Sequence, residues 1–361
     1  MKQAEVNMWD IWDKIMKPAN IPVPEGPYAT GGVDVMTDYS KDGIFMRIYY
    51  PCDLKPTASH NSENLRNVSQ KGWIKWIPEY KYFEGCAKLM HIWKMLAWAG
   101  YALIAGINAS IPVSWGSHFI PISKISDSNE VKKSKHPVVI VSHGMAGARF
   151  AHSALGMELA SNGFVVASVE HRDGSASATY HFQSPKEREA GEKTWLPYKN
   201  VKFGNEEHYK ARREQVEHRS LELIKVLDAL EKINKGELGD LDNIVYKEYE
   251  GMEFSLSQMK GRLDFSHPSI IGYSFGGPSA LLAIKKDPRF RKAIGLDVWM
   301  FPVKNEVKEI GEALTDSPSR DILFINSQTF HNSINLKALQ TLLSTLKNKE
   351  SKCKLSGYIT I

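Results

Sequence analysis

The chain has 361 residues, 42% of them hydrophobic and 24% charged, and a formal net charge of +5. That is ordinary globular material, long enough to bury one large core, so a single domain over residues 1–361 is the default. Its 46 basic side chains are dispersed among 41 acidic ones, which excludes nucleic acid as the main partner while suiting an anionic lipid surface.

The N-terminal run MKQAEVNMWDIWDK lacks the uninterrupted apolar stretch of a secretory signal peptide, and Lys2 stands where myristoylation needs glycine. Cys52, Cys86 and Cys353 match neither a disulfide framework nor a zinc site, so reduced thiols, a cytoplasmic location and no bound metal are expected. Ile44 to Tyr50 has strand composition, and residues 53–71 read as a polar surface loop. Within residues 86–107 the run from Met95 to Ile107 is apolar or glycine throughout, but His91 and Lys94 leave it short of the roughly 20 apolar residues of a spanning helix. A helix lying in a membrane interface, anchored by Trp93, Trp98 and Tyr101, fits this segment, as does an ordinary buried helix.

From residue 137 onward, strand-like runs alternate with helical ones: 137–141, 164–169, 269–272, 293–296, 322–326 and 357–361 read as strands. Their unbroken apolar character implies burial on both faces. Residues 206–234 place Val216, Leu223, Leu227 and Leu230 in a stripe at helical spacing. The pattern predicts a mostly parallel central sheet with helices on both faces.

Gly272-Tyr273-Ser274-Phe275-Gly276 falls between such a strand and the helix-forming PSALLAIKK. A serine on a tight strand-to-helix turn needs small residues two positions to each side, which Gly272 and Gly276 supply, so Ser274 is the candidate nucleophile. The N–H of Phe275 and that of Met145, in the His143-Gly144-Met145 turn after an earlier strand, are the candidate oxyanion donors. Asp297 ends the next strand and follows the serine in the order the fold class requires of the triad acid. Asp173 precedes the serine, and an internal ion pair or a turn is expected there.

The segments SHGMAGAR (142–149), VEHRDGSASATYHF (169–182), IGYSFGG (271–277), LDVWMFP (296–302) and FINS (324–327) closely resemble those of platelet-activating factor acetylhydrolases, as do GPY, RIYYPC, KWIP and IPVSW nearer the N-terminus. The likeness runs from about Gly26 to the last residue. It implies an α/β-hydrolase fold and a calcium-independent serine esterase without cofactor. The implied reaction removes an acetyl, short or oxidised acyl group from the sn-2 position of a glycerophospholipid at a membrane or lipoprotein surface. The roles it carries over are Ser274 as nucleophile, Asp297 as triad acid, and Met145 and Phe275 as oxyanion donors. Trp299 and Phe301 are expected to wall the acyl pocket, with core packing as the alternative. Tyr273 departs from the histidine frequent in the family.

The family's triad histidine sits a few residues beyond a strand resembling residues 357–361, and the sequence ends at Ile361. His331 follows the preceding strand, one element too early to replace it. The expectation is therefore a piece of an active enzyme, nearly inactive as written; the alternatives are an impaired isoform or lipid-surface binding protein, and a broad carboxylesterase or lipase.

Overall fold

A computed structural model of the chain describes residues 21–54, 73–91, 93, 96, 109–121, 135–238, 244–245, 252–315, 320–330, 332–347 and 353–360. In chain order its strands and helices are β1 (Ala29–Met36), β2 (Phe45–Cys52), β3 (Ile74–Lys75), α1 (Tyr80–Leu89), β4 (Ser110–Ile111), β5 (Ser114–Trp115), β6 (His136–Ser142), α2 (Ser153–Ser161) and β7 (Val165–Glu170). There follow β8 (Ala178–His181), α3 (Pro185–Ala190), β9 (Thr194–Pro197), α4 (Glu206–Lys235), β10 (Ile244–Val245) and β11 (Leu263–Tyr273). The chain continues through α5 (Gly276–Lys286), β12 (Lys292–Leu296), α6 (Val307–Thr315), β13 (Arg320–Asn326), α7 (Ser333–Leu346) and β14 (Cys353–Thr360).

Ten of the described strands form one large sheet in the order β10-β1-β2-β7-β6-β11-β12-β13-β14, with β5 added against β1, while β3 with β4 and β8 with β9 make two small antiparallel pairs. Every pairing from β7 to β14 is parallel, while β2 joins β7, β1 joins β2 and β10 joins β1 in antiparallel fashion. Because strand side chains alternate in direction, a strand apolar at every position must be covered twice. In β6 and β7, Val138, Ile140, Val165 and Ala167 pack with Val216, Leu223 and Leu227 of α4, whereas Val139, Val141 and Val166 pack with Met157 and Ala160 of α2. The mostly parallel sheet with helices on both faces is thus as the sequence predicts.

Strand β1 went unread in the sequence because Gly31, Gly32 and Asp34 are residues that strands avoid. Each has a local reason. A side chain at Gly31 would strike the Tyr50 ring at 2.4 Å, and one at Gly32 would meet Val113 at 2.6 Å. The Asp34 carboxylate lies buried between Arg47 and Arg149, at 2.7 Å from a guanidinium nitrogen of each. Of the polar loop at 53–71, all but its first two residues lie outside the described part, as do Trp98 and Tyr101. Trp93 is described and is 79% exposed, in line with Met90 at 56% and Leu96 at 64%. Among the described residues no helix is long and apolar enough to cross a membrane.

Candidate active site

Ser274 occupies the turn between β11 and α5 with φ of +52°, a left-handed conformation costly for a residue with a side chain. Its surroundings hold it there. The Ser274 N–H donates to Leu296 O at 2.8 Å, and its carbonyl accepts from Trp299 N at 3.0 Å and from Gly277 N at 3.0 Å. The flanking glycines are needed for contact, since a Cβ on Gly272 would lie 2.4 Å from Gly276 O and one on Gly276 would lie 2.2 Å from Ser142 O.

Two backbone N–H groups lie beside this turn. Gly144 packs so closely that a Cβ built on it would sit 3.2 Å from Ser274 Cβ, which brings the next residue, Met145, close to the Ser274 turn. The Gly144 carbonyl accepts from His143 Nδ1 at 2.7 Å and from Gly147 N at 3.2 Å, which fixes the plane of the peptide that carries the Met145 N–H. Phe275 begins the first turn of α5, where N–H groups are left over by the helix. Among the described residues neither the Met145 N–H nor the Phe275 N–H has a hydrogen-bond partner.

Asp297 follows β12 with φ of +47°. Its N–H donates to Ile325 O at 2.9 Å, and its Oδ1 accepts from Ser327 N at 2.5 Å. Oδ2 has no partner among the described residues and is open to an imidazole N–H. Trp299 and Phe301 stack on one another at 5.4 Å, half-buried, with Trp299 5.5 Å from the Phe275 ring and His208 stacked on Phe301 at 4.9 Å. An apolar cavity of about 170 Å³ is lined by Trp76, Tyr82, Phe83, Cys86, Ala146 and Phe150. The structure thus gathers Ser274, Met145, Phe275, Asp297 and Trp299 around one turn. His331 lies outside the described residues.

The buried polar residues behind the turn had no reading in the sequence. Ser142 Oγ meets His171 Nε2 at 2.8 Å, and His171 Nδ1 meets Glu222 at 2.7 Å. This has the connectivity of a Ser-His-acid triad, but Ser142 and His171 are fully buried and Glu222 nearly so, leaving no room for a substrate. Burial, then the positive Arg219, hold His171 below the usual histidine range; burial opposes ionisation of Glu222, but its hydrogen bonds to His171 and His218 keep it an anion. The neutral imidazole therefore donates Nδ1–H to Glu222 and accepts from the Ser142 hydroxyl. His143 is likewise held neutral, first by burial and then by Arg219, so that it donates Nδ1–H to Gly144 O and accepts the His171 N–H at Nε2. Among the described residues no side-chain cluster is suited to hold a metal ion.

Residues 14–357 match the family model described as platelet-activating factor acetylhydrolase, isoform II. The chain is 32% identical to the platelet-activating factor acetylhydrolase of Canis lupus familiaris over 93% of its own length and 66% of that protein's. It is 34% identical to the Bos taurus protein of the same name over 88% and 62%, and 32% identical to that of Gallus gallus over 91% and 71%. It thus spans about two thirds of the length of these curated relatives. A solved ferulic acid esterase from Streptomyces cinnamoneus superposes with a TM-score of 0.50 and 16% identity, covering 92% of this chain and 74% of that one. At that identity the likeness speaks for the fold alone, which is the α/β-hydrolase fold.

Proposed function

This chain belongs to the platelet-activating factor acetylhydrolase family, isoform II, and from that premise we propose that it is a serine esterase acting on the sn-2 acetyl or short acyl ester of a glycerophospholipid. The observation that carries the reading is the strained Ser274 beside Phe275 and packed against Gly144, with the N–H groups of Met145 and Phe275 lacking partners among the described residues. A strained nucleophile held by its surroundings is found where a reacting atom must be presented. Ser274 Oγ attacks the ester carbonyl, the carbonyl oxygen gains charge between the N–H groups of Met145 and Phe275, and the alcohol leaves. Water then cleaves the acyl-enzyme. The proton is taken and returned by a histidine, held by Asp297 Oδ2, that is not found among the described residues. Removing one oxyanion donor from such a site costs about 10²–10³ in turnover.

The stacked Trp299 and Phe301 stand beside Phe275 and are assigned to the acyl side of the site. Exposed Met90, Trp93 and Leu96, at the end of α1 and beyond, support contact with a lipid surface through residues 86–107. Cys52 and Cys86 are free thiols, which suits the reducing cytoplasm.

The test is labelling of the full-length protein with a fluorophosphonate alongside turnover of 1-alkyl-2-acetylglycerophosphocholine. The expected result is one labelled site, lost in Ser274→Ala together with turnover. Wild-type protein that binds vesicles yet neither labels nor turns over would replace this reading with that of a lipid-binding protein; equal turnover of simple acyl esters would make it a broad carboxylesterase.

A further inference from the structure

Arg219 is a buried arginine with hydrogen bonds from all three guanidinium nitrogens, one of them to the backbone of the His143–Gly144 turn. It projects from α4 and is 0% exposed. Its Nη1 donates to the His143 carbonyl at 2.7 Å, the peptide immediately before the one whose N–H belongs to Met145. Nε donates to Asp173 Oδ2 at 3.0 Å and to Ser175 Oγ at 2.9 Å, and Nη2 donates to Ser175 Oγ at 2.5 Å. The face of the guanidinium lies 4.5 Å from the centre of the Phe275 ring. One rigid, planar group therefore touches both halves of the oxyanion hole: the turn that presents the Met145 N–H and the residue that presents the other donor.

The loop around Asp173 closes the arrangement. The Ser175 carbonyl accepts from Ala146 N at 2.8 Å and Ser177 N donates to Gly147 O at 2.9 Å, so the segment that holds Arg219 also holds the far side of the oxyanion turn. Ser175 Oγ in turn donates to Asp173. A structural ion pair would require only Asp173. The Nη1 donation from a buried charge to a backbone carbonyl beside Ser274 is explained by what that carbonyl positions.

We propose that Arg219 is the positioning residue of the oxyanion hole, setting the spacing of the Met145 and Phe275 N–H groups by gripping the His143 carbonyl and stacking on the Phe275 ring. The inference rests on the serine esterase reading. A lysine in its place keeps the charge opposite Asp173 but lacks the planar fork and cannot reach His143 O and Ser175 together while lying on the ring. Misplacement of a donor by about 1 Å costs on the order of 10²-fold in rate.

The experiment compares wild-type full-length protein with Arg219→Lys, counting active sites by fluorophosphonate and following sn-2 acetyl ester hydrolysis. A trifluoromethyl ketone, which forms an oxyanion on the serine, is titrated in parallel. Arg219→Lys is expected to lose about 10²-fold in kcat per labelled site with KM within about threefold, and to lose ketone affinity in step with kcat/KM. Should Arg219→Lys not fold, Ser175→Ala, which leaves the charge pair intact and removes one acceptor, is expected to shift kcat and ketone affinity in the same direction by about tenfold. Unchanged kcat and ketone affinity in a folded variant of an active wild type would overturn the inference while leaving the esterase standing. A wild type that neither labels nor turns over would bring down the esterase reading and this inference with it.

Discussion

Asp34→Asn probes the buried charge cluster that anchors the chain just after the His143–Gly147 turn. The Asp34 carboxylate accepts from Arg47 at 2.7 and 3.0 Å and from Arg149 at 2.9 and 2.7 Å, and Arg149 reaches on to Glu170 at 2.6 Å. All four side chains are almost wholly shielded. Burial alone would raise the Asp34 pKa, but the two guanidiniums overcome it and bring the carboxyl from 3.8 down to about 2. Asparagine leaves two buried cations facing Glu170 alone, and breaking a buried pair from one side costs about 3–5 kcal/mol. Part of that cost depends on pH. A carboxyl whose pKa is lower in the folded state stabilises fully above its unfolded value and loses that stabilisation as pH falls through its folded value. Here the window runs from about pH 4 to about pH 2. The linked part is about 2 kcal/mol at neutral pH and roughly 1 kcal/mol at pH 3. Urea unfolding followed by tryptophan fluorescence at both pH values checks it: the gap between wild type and Asp34→Asn narrows by about 1 kcal/mol at pH 3. A gap that is absent at pH 7, or equal at the two pH values, would refute the reasoning.

Two further substitutions address the elbow and the acid. Gly276→Ala puts a methyl group 2.2 Å from the Ser142 carbonyl; the backbone cannot yield without parting β6 from the elbow, so thermal unfolding should report a loss of about 1–3 kcal/mol and ester turnover should fall with it. Asp297→Asn keeps an oxygen for the Ser327 N–H, so melting temperature should hardly change while kcat drops by about 10⁴-fold, as befits loss of the group that orients a catalytic histidine; turnover near the wild-type rate would remove Asp297 from the site.

How much of this was legible in the sequence follows from how local each requirement is. The elbow was legible because its demands fall within five consecutive residues: Ser274 needs its positive φ, and Gly272 and Gly276 each lie against backbone atoms that no side chain could approach. The parallel strands were legible because burial on both faces leaves few choices but valine and isoleucine. Strand β1 was not, since the reasons for Gly31, Gly32 and Asp34 lie on Tyr50, Val113, Arg47 and Arg149, which only the folded sheet brings near.

The sharpest case is α4, where the apolar stripe at Val216, Leu223, Leu227 and Leu230 was read and the polar residues beside it were not. Arg212, Gln215, Arg219 and Glu222 are also buried and recur at the same helical spacing. They occupy the first 17 of the helix's 30 residues, which run along the C-terminal ends of the strands: His208 lies by Trp299, Arg219 reaches His143, and the Glu222 carboxylate receives the His171 ring and the Arg172 N–H. The remainder runs back over the sheet to the start of β11, where the Asn234 side chain accepts from Leu263 N, and there the buried positions are Leu223, Val226, Leu227, Ala229, Leu230 and Ile233. The change from charged to apolar on one continuous buried face marks the point at which the helix passes from beneath the candidate active site to the core. In a single sequence that change looks like a solvated first half, because burial of a charge is decided by partners 46 to 76 residues away. In a parallel α/β sheet, whose loops and ligands gather at the carboxyl ends of the strands, charged residues in register with a helix's apolar stripe are therefore candidates for supporting the site before they are candidates for the surface.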